Sequence, residues 1–359
     1  MTITNRIENL RQKMKERGLD AALISQQENR FYLSGFTGEG YLLVTPQDLV
    51  LMTDFRYTEQ ASQETTGYKV FKIAGELNAW FSAVVANLNG AKLGFEATDV
   101  TVYFYSRLVD ALAKANLKIS LIPVEGIVES LRIVKDPGEI ECVTKAAHIT
   151  DQAFNYINNI IHTGMSERDA AWIIEKYMRE NGSDGIAFEV IVAGGANSAM
   201  AHHRPSDDLL LPGSPVMIDI GARYMGYCSD LTRTITVGAH TDQFNKRYRI
   251  VLKSQLEALE KIQAGMTGEQ ADAIARDVLK EAGFGECFGH GLGHGIGLAI
   301  HEAPRLGPRS TDVLQDGMVF SVEPGIYLEG WGGIRIEDSV VMENGKVRKV
   351  TESPKVLQY

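Results

Sequence analysis

Asp219, Asp230, His294, Glu323 and Glu337 are four carboxylates and one imidazole set in apolar, β-rich stretches, a combination that reads as a two-metal site. The acids sit in VMIDIG (216–221), YCSDLTRTITV (227–237), VFSVEPG (319–325) and IRIEDSVV (334–341), each broken by glycine, proline or an aromatic turn. An acid buried in such a strand carries a large desolvation cost unless it is paired, protonated or bound to a cation. Arg233 and Arg335 cannot neutralise all four. Taken alone, Asp219 would read as a strand-end acid facing solvent and Asp230 as a hydrogen-bonded acid on a polar sheet face, but the group favours ligation.

His294 lies in FGHGLGHGIG (288–297), where glycines remove side-chain bulk and let the backbone turn tightly around a bound group. A phosphate loop would need a following Lys-Ser/Thr and a strand-to-helix context, and neither is present. His290 fits either a cleft wall or a donor behind the ligands. His202, His203 and His301 read as substrate-facing donors for an oxyanion and a leaving amine, with His203 the first of them expected to be a bystander. Glu302 and Arg305 follow His301 and suit a structural ion pair equally well. Arg335, two residues before Glu337, shares its strand face and can orient a ligating carboxylate. Serine and cysteine nucleophiles are not indicated: there is no G-x-S-x-G elbow, and Cys287 lacks an activating context.

What positions these residues is an internal repeat. GMSERDAAWI (164–173), running on to Gly182, aligns without gaps to GMTGEQADAI (265–274), running on to Gly283, each copy a turn, a helix and a glycine stop. A glycine-rich histidine segment follows each helix, 194–203 and 293–301, and then a carboxylate pair. Asp219 thereby matches Glu323, and Asp230 matches Glu337. Two equivalent halves would present one acid pair each toward a shared cleft.

Upstream the pattern differs. Ile7, Leu10 and Met14 are spaced for one helix face, 20–25 reads as a short strand, and 41–45 with 49–53 reads as a hairpin. Further strands are expected at 68–73 and 92–95, and helices at 77–88 and 100–115. This small α/β domain is expected to span 1–125. A second domain over 126–359 would begin its long helix just after Pro137. The 359 residues exceed one ordinary core, and 44% apolar residues suffice for two.

Composition narrows the function classes. A formal charge of −10 without clustered Lys and Arg argues against nucleic acid as a partner. Three cysteines without C-x-x-C spacing suit a reducing compartment. No stretch is long and apolar enough to span a membrane, and 1–10 lacks a signal-peptide core, so a cytoplasmic location is expected.

In order along the chain, the Asp219 and Asp230 strands, HGLGHGIG (290–297), HEAP (301–304), VEPG (322–325) and RIE (335–337) resemble the metallopeptidase family of aminopeptidase P, prolidase and methionine aminopeptidase. The resemblance covers about 126–359 and implies an α+β chain of two domains. The first would be creatinase-like, as TDFRY (53–57) suggests, and the second a pita-bread domain with a pseudo-twofold repeat. It further implies that Asp219 chelates one divalent ion, that Asp230 and Glu337 bridge two, and that His294 and Glu323 hold the second, the ions being Mn, Co, Fe or Zn. Glu323 would shuttle a proton, and His202 and His301 would bind the substrate carbonyl. The implied activity is hydrolysis of Xaa-Pro bonds, in dipeptides or at peptide N-termini, by a homodimer acting on proline-containing peptides. Tyr327 and Trp331 are then candidate pocket walls or plain core, and Arg56 or Arg305 candidate caps for a substrate carboxylate. Alternatives are a non-catalytic peptide-binding scaffold of the same fold and a metal-independent creatinase-like hydrolase.

Overall fold

The computed structural model describes residues 2–355 and divides into two compact units, one running to Arg132 and the other beginning at Ile133. The division lies there rather than at 125/126 because the 126–132 segment is tied to the first unit. Tyr32 Oη donates to Leu131 O at 3.0 Å, and Arg132 Nη1 to Asn29 Oδ1 at 2.7 Å.

In the first unit the helix Ile3–Glu16 buries Ile7, Leu10 and Met14, the apolar face that its spacing predicts. A six-stranded sheet runs in the order Lys69–Lys72, Leu49–Thr53, Tyr41–Val44, Ala21–Ile24, Lys92–Glu96, Ser120–Val124. The expected hairpin pairs antiparallel from Tyr41↔Met52 to Val44↔Leu49. The helices Leu77–Val85 and Val102–Lys114 supply Trp80, Phe81, Leu108 and Leu112 to the sheet's core.

The second unit opens on the helix Pro137–Ile160. Asp136 caps it, accepting from Gly138 N and Glu139 N, and Glu139 returns the bond to complete a capping box with proline in the first turn. The repeat is then visible as structure. Glu167–Glu180 and Gly268–Glu281 are helices of 14 residues each, capped by Ser166 and Thr267 in matching positions. The same register places Ile160 opposite Lys261, the ends of the two long helices Pro137–Ile160 and Asp242–Lys261, so the duplication extends further upstream than the aligned motif.

Each helix pair packs on its own sheet. Phe154, Ile157, Ile174 and Met178 meet Val216, Ile218, Ile220 and Leu231, and Ala258, Ile262, Ala271 and Ala275 meet Phe320, Val322, Val340 and Met342. Strand side chains alternate between faces, so committing Ile218 and Ile220 to the helices turns Asp219 the other way. The sheets are Ile191–Gly194, Pro215–Ile220, Leu231–Thr236 in the first half, and Glu302–Leu306, Gly293–Gly295, Val319–Val322, Asp338–Glu343, Lys346–Lys349 in the second. Among the described residues no helix is long and apolar enough to cross a membrane.

Because Ile218 is fully buried under the helix pair, Ile218→Ala should cost about 2–5 kcal/mol. The exposed Glu141→Ala should stay within about 0.5 kcal/mol. Urea midpoints of the two variants check this.

Candidate metal centre

Asp219 reaches the centre from the middle strand Pro215–Ile220 and faces Thr232 across the antiparallel pair. Asp230 stands just before Leu231–Thr236, its backbone held to Ser339 Oγ, which donates to Asp230 O at 2.7 Å. Glu323 and Glu337 follow the ends of Val319–Val322 and Gly332–Arg335. His294 is the central residue of Gly293–Gly295. Its flanking glycines are required by close approach: a Cβ at Gly293 would collide with the Ser321 carbonyl, and one at Gly295 with the Ala303 carbonyl.

The five residues named from sequence converge. All line one cavity of about 930 Å³. Ligand atoms of Asp230, His294 and Glu337 lie within 4.8 Å of one another. His294 Nε2 is 3.5 Å from Asp230 Oδ2 and 3.4 Å from Glu323 Oε1. His294 Nδ1 lies 3.1 Å from Gly295 O, so the ring proton sits on Nδ1 and the Nε2 lone pair faces the carboxylates. Burial favours that neutral form.

The acids crowd one another. Burial first, then repulsion from Glu337, Asp219 and Glu323, pushes the Asp230 carboxyl well above the usual carboxylate range. Burial, then Glu323 and Asp219, does the same to Glu337, and burial raises Glu323. Arg335 offsets part of this. Its Nη2 donates to Asp219 Oδ2 at 2.5 Å and its Nε to Thr232 Oγ1 at 3.0 Å, and Thr232 in turn donates to Glu337 Oε2 at 2.6 Å. Burial opposes the guanidinium charge, but Tyr327, Asp219, Glu323 and Glu337 outweigh it.

After these bonds, buried Asp219 Oδ1 and Glu337 Oε1 have no hydrogen-bond partner. Orphaned carboxyl oxygens beside an imidazole nitrogen are a set of ligand atoms without an acceptor for its lone pairs. Divalent cations fit it: carboxylate oxygens and one imidazole are ligands of borderline and hard ions.

His202, His203, His290, His301, Arg204 and Arg305 also line the cavity, with His202, His301 and the two arginines exposed at it. His203 is turned to Glu167, 2.7 Å away. His290 donates from Nδ1 to Gly291 O at 2.8 Å and accepts at Nε2 from Tyr327 Oη at 2.8 Å, while Arg335 Nη1 donates to Tyr327 at 2.8 Å. Tyr327 is therefore a link between His290 and Arg335 and not a wall. Trp331 is not a wall either, because Arg247 covers its ring at 4.0 Å. The apolar walls are Phe188, Ile191, Ile300 and Leu306, which sequence patterning did not separate from ordinary core. Glu302 forms the expected ion pair, but with distant Lys135 at 2.7 Å. Arg56, in the first unit, pairs with Asp54 at 2.7 Å and Glu39 at 3.1 Å.

Residues 141–344 match metallopeptidase family M24, and residues 6–134 match the creatinase/prolidase N-terminal domain. The chain is 37% identical to an Xaa-Pro dipeptidase of Pyrococcus furiosus, with 98% of this chain and 99% of the relative covered. The structure of an Xaa-Pro dipeptidase from Bacillus anthracis superposes with a TM-score of 0.94 at 42% identity, covering 99% of both chains. That of an X-Pro aminopeptidase from Thermotoga maritima does so with 0.88 at 38%, covering 96% of this chain and 99% of the other. Both the duplicated acid-bearing domain and the α/β domain before it are accounted for: the chain belongs to the Xaa-Pro peptidase family, an M24 pita-bread metallopeptidase with a creatinase/prolidase N-terminal domain.

Proposed function

We propose that this chain hydrolyses Xaa-Pro peptide bonds with two divalent ions held by Asp219, Asp230, His294, Glu323 and Glu337. The observation that carries the reading is His294 Nε2 lying 3.5 and 3.4 Å from two carboxylates, beside buried Asp219 and Glu337 oxygens without a hydrogen-bond partner. The Xaa-Pro dipeptidase and X-Pro aminopeptidase named among the similar proteins support the substrate class. A scaffold that only binds peptides, or a metal-independent hydrolase, has no use for such a set.

Bound there, divalent ions supply Lewis acidity that lowers the pKa of water and polarises a carbonyl. The remaining work falls to side chains. Glu323, steadied by Ser321 Oγ at 3.0 Å, holds the proton between the attacking water and the departing proline nitrogen. His202 and His301 donate to the substrate carbonyl oxygen as charge develops on it. Burial lowers His301, so it donates as a neutral ring and keeps its proton. Arg335 fixes the carboxylate plane of Asp219. Phe188, Ile191, Ile300 and Leu306 offer the proline ring an apolar surface, and we assign Arg204 and Arg305, exposed at the same cavity, to a short substrate's free carboxylate. We assign the preference to dipeptides on that ground.

Glu337→Gln should lose both bound metal, read by elemental analysis, and Xaa-Pro turnover. His301→Ala should keep its metal while kcat falls about 10²–10³-fold. Retained activity in Glu337→Gln would overturn the metal reading. Arg305→Ala should raise KM for Xaa-Pro about tenfold or more and leave Xaa-Pro-Yaa nearly unchanged. Equal effects on both substrates would point to an aminopeptidase.

The same acids set a pH dependence. Asp230 and Glu337 have folded pKa values raised above the unfolded ones. Their metal-free folded form is thus favoured at low pH and loses that stability as pH rises through the raised values. Ligation requires the deprotonated form, so protons and metal compete. The rise in Tm on adding Mn should grow as pH is raised from the acid side through the raised carboxyl values, and a scanning calorimeter with and without chelator reads it.

A further inference from the structure

Glu167 opens the helix Glu167–Glu180 and takes no part in the chemistry above, yet its side chain is only 1% exposed. Its carboxylate accepts five hydrogen bonds from one segment of chain. Gly194 N at 2.7 Å and Asn197 Nδ2 at 2.9 Å meet Oε1. His203 Nε2 at 2.7 Å, Ser206 N at 3.0 Å and Ser206 Oγ at 2.8 Å meet Oε2. These contacts lie on both sides of His202 in the chain, and His202 stands at the cavity.

We infer that Glu167 is a positioning residue, an anionic clamp that holds the 194–206 segment so that His202 meets the substrate carbonyl. The inference rests on the peptidase reading only through that role of His202. The clamp is a built feature. Burial alone would raise the Glu167 carboxyl, but the hydrogen bonds from Gly194, Asn197, His203 and Ser206 outweigh it and hold it below the ordinary range. The helix N-terminus favours an anion in its first turn as well. His203, next to His202, thereby acquires a structural role, tying the loop to the helix.

The second half solves the same problem one helical turn along. Gly268 occupies the place equivalent to Glu167, and a Cβ there would collide with the Arg305 carbonyl, so a carboxylate cannot stand at that position. Asp272, four residues on and therefore on the same helix face, accepts from Leu292 N at 2.9 Å. It also holds Arg276 at 2.6 Å, whose guanidinium donates to Phe288 O at 2.8 Å and His290 O at 2.7 Å. In each half the histidine segment hangs from a carboxylate on the repeat helix.

The test is a double-mutant cycle with an independent structural readout. Glu167→Gln turns one accepting oxygen into a donor facing donors. It should lower kcat for Xaa-Pro about ten- to hundredfold, with bound metal unchanged. In a His202→Ala background the same substitution should add little, because its effect passes through that ring. Amide exchange over 194–206 should quicken at least about tenfold while exchange in Pro137–Ile160 stays as it was. Should Glu167→Gln fold poorly, Ser206→Ala removes fewer of the bonds and should show a smaller kcat loss with the same non-additivity. Additive losses in the cycle, or a normal kcat with a loosened segment, would overturn the assignment. If the unaltered protein cleaves no Xaa-Pro bond, the peptidase reading fails, and the exchange measurement decides the clamp alone: unchanged exchange in Glu167→Gln overturns it.

Discussion

The centre gathers more anionic oxygen than the protein around it neutralises. Arg335 touches Asp219 at 2.5 Å and lies 4.0 Å from Glu323. The nearby Arg233 is fully buried but committed elsewhere: it donates to Asp338 Oδ1 at 2.8 Å, and Lys355 meets the other oxygen of that carboxylate. Its guanidinium is spent on Asp338 and on backbone carbonyls, and makes no ion pair with the four acids. Like charges held together in a medium of low dielectric either protonate or recruit cations, and the raised Asp230, Glu323 and Glu337 carboxyls express that tension.

Holding such a cluster together takes a rigid scaffold, and the duplication provides one. Each helix pair covers one face of its sheet, which leaves the opposite face free to carry polar groups at period two. Behind the acids the backbone is fastened again. Arg233 donates to the carbonyls of Glu337 and Thr232, and also to Ser353 O at 2.7 Å and Pro354 O at 3.2 Å, so it ties the backbone at Glu337 to the 353–354 segment. Asp151 takes up Glu352 N and Ser353 N at 2.8 Å each. A carboxylate that must not drift away from its neighbours is thus fixed through its backbone as well as through Thr232.

These supports explain which parts of the site can be read from sequence. Asp219, Asp230, Glu323 and Glu337 stand out because each interrupts a buried alternation and because the repeat supplies every acid with a counterpart. Arg335 is legible as an orienting group but not in its partner. Spacing suggests Glu337, two residues away, whereas the strand pairing that sets Thr232 beside Asp219 carries the guanidinium to Asp219 instead. Glu167, Lys135 and Arg233 are invisible in the same way, since their partners lie 27 to 39, 167 and 104 to 121 positions away and no local pattern marks them. The apolar walls Phe188 and Ile191, one in a bend and one opening a strand, look like any core residues. Tyr327 and Trp331, conspicuous as aromatics in a turn, are spent on a hydrogen-bond relay and on Arg247.

Exposure separates the histidines by role. His294 is 20% exposed in its side chain, and Gly295 O beside Nδ1 favours the tautomer whose Nε2 lone pair faces the carboxylates. His301 sits against it edge to face at 4.3 Å, with part of its ring exposed at the cavity. Burial lowers both rings, and for His301 the neighbouring His294 adds to the effect. Two imidazolium rings could not share that contact, whereas two neutral ones can. In the hydrolysis we propose, a neutral His301 would stabilise a developing oxyanion without surrendering its proton, leaving proton transfer to Glu323. Burial acts on both sets of groups at once, raising the acids together with their mutual repulsion and lowering the rings.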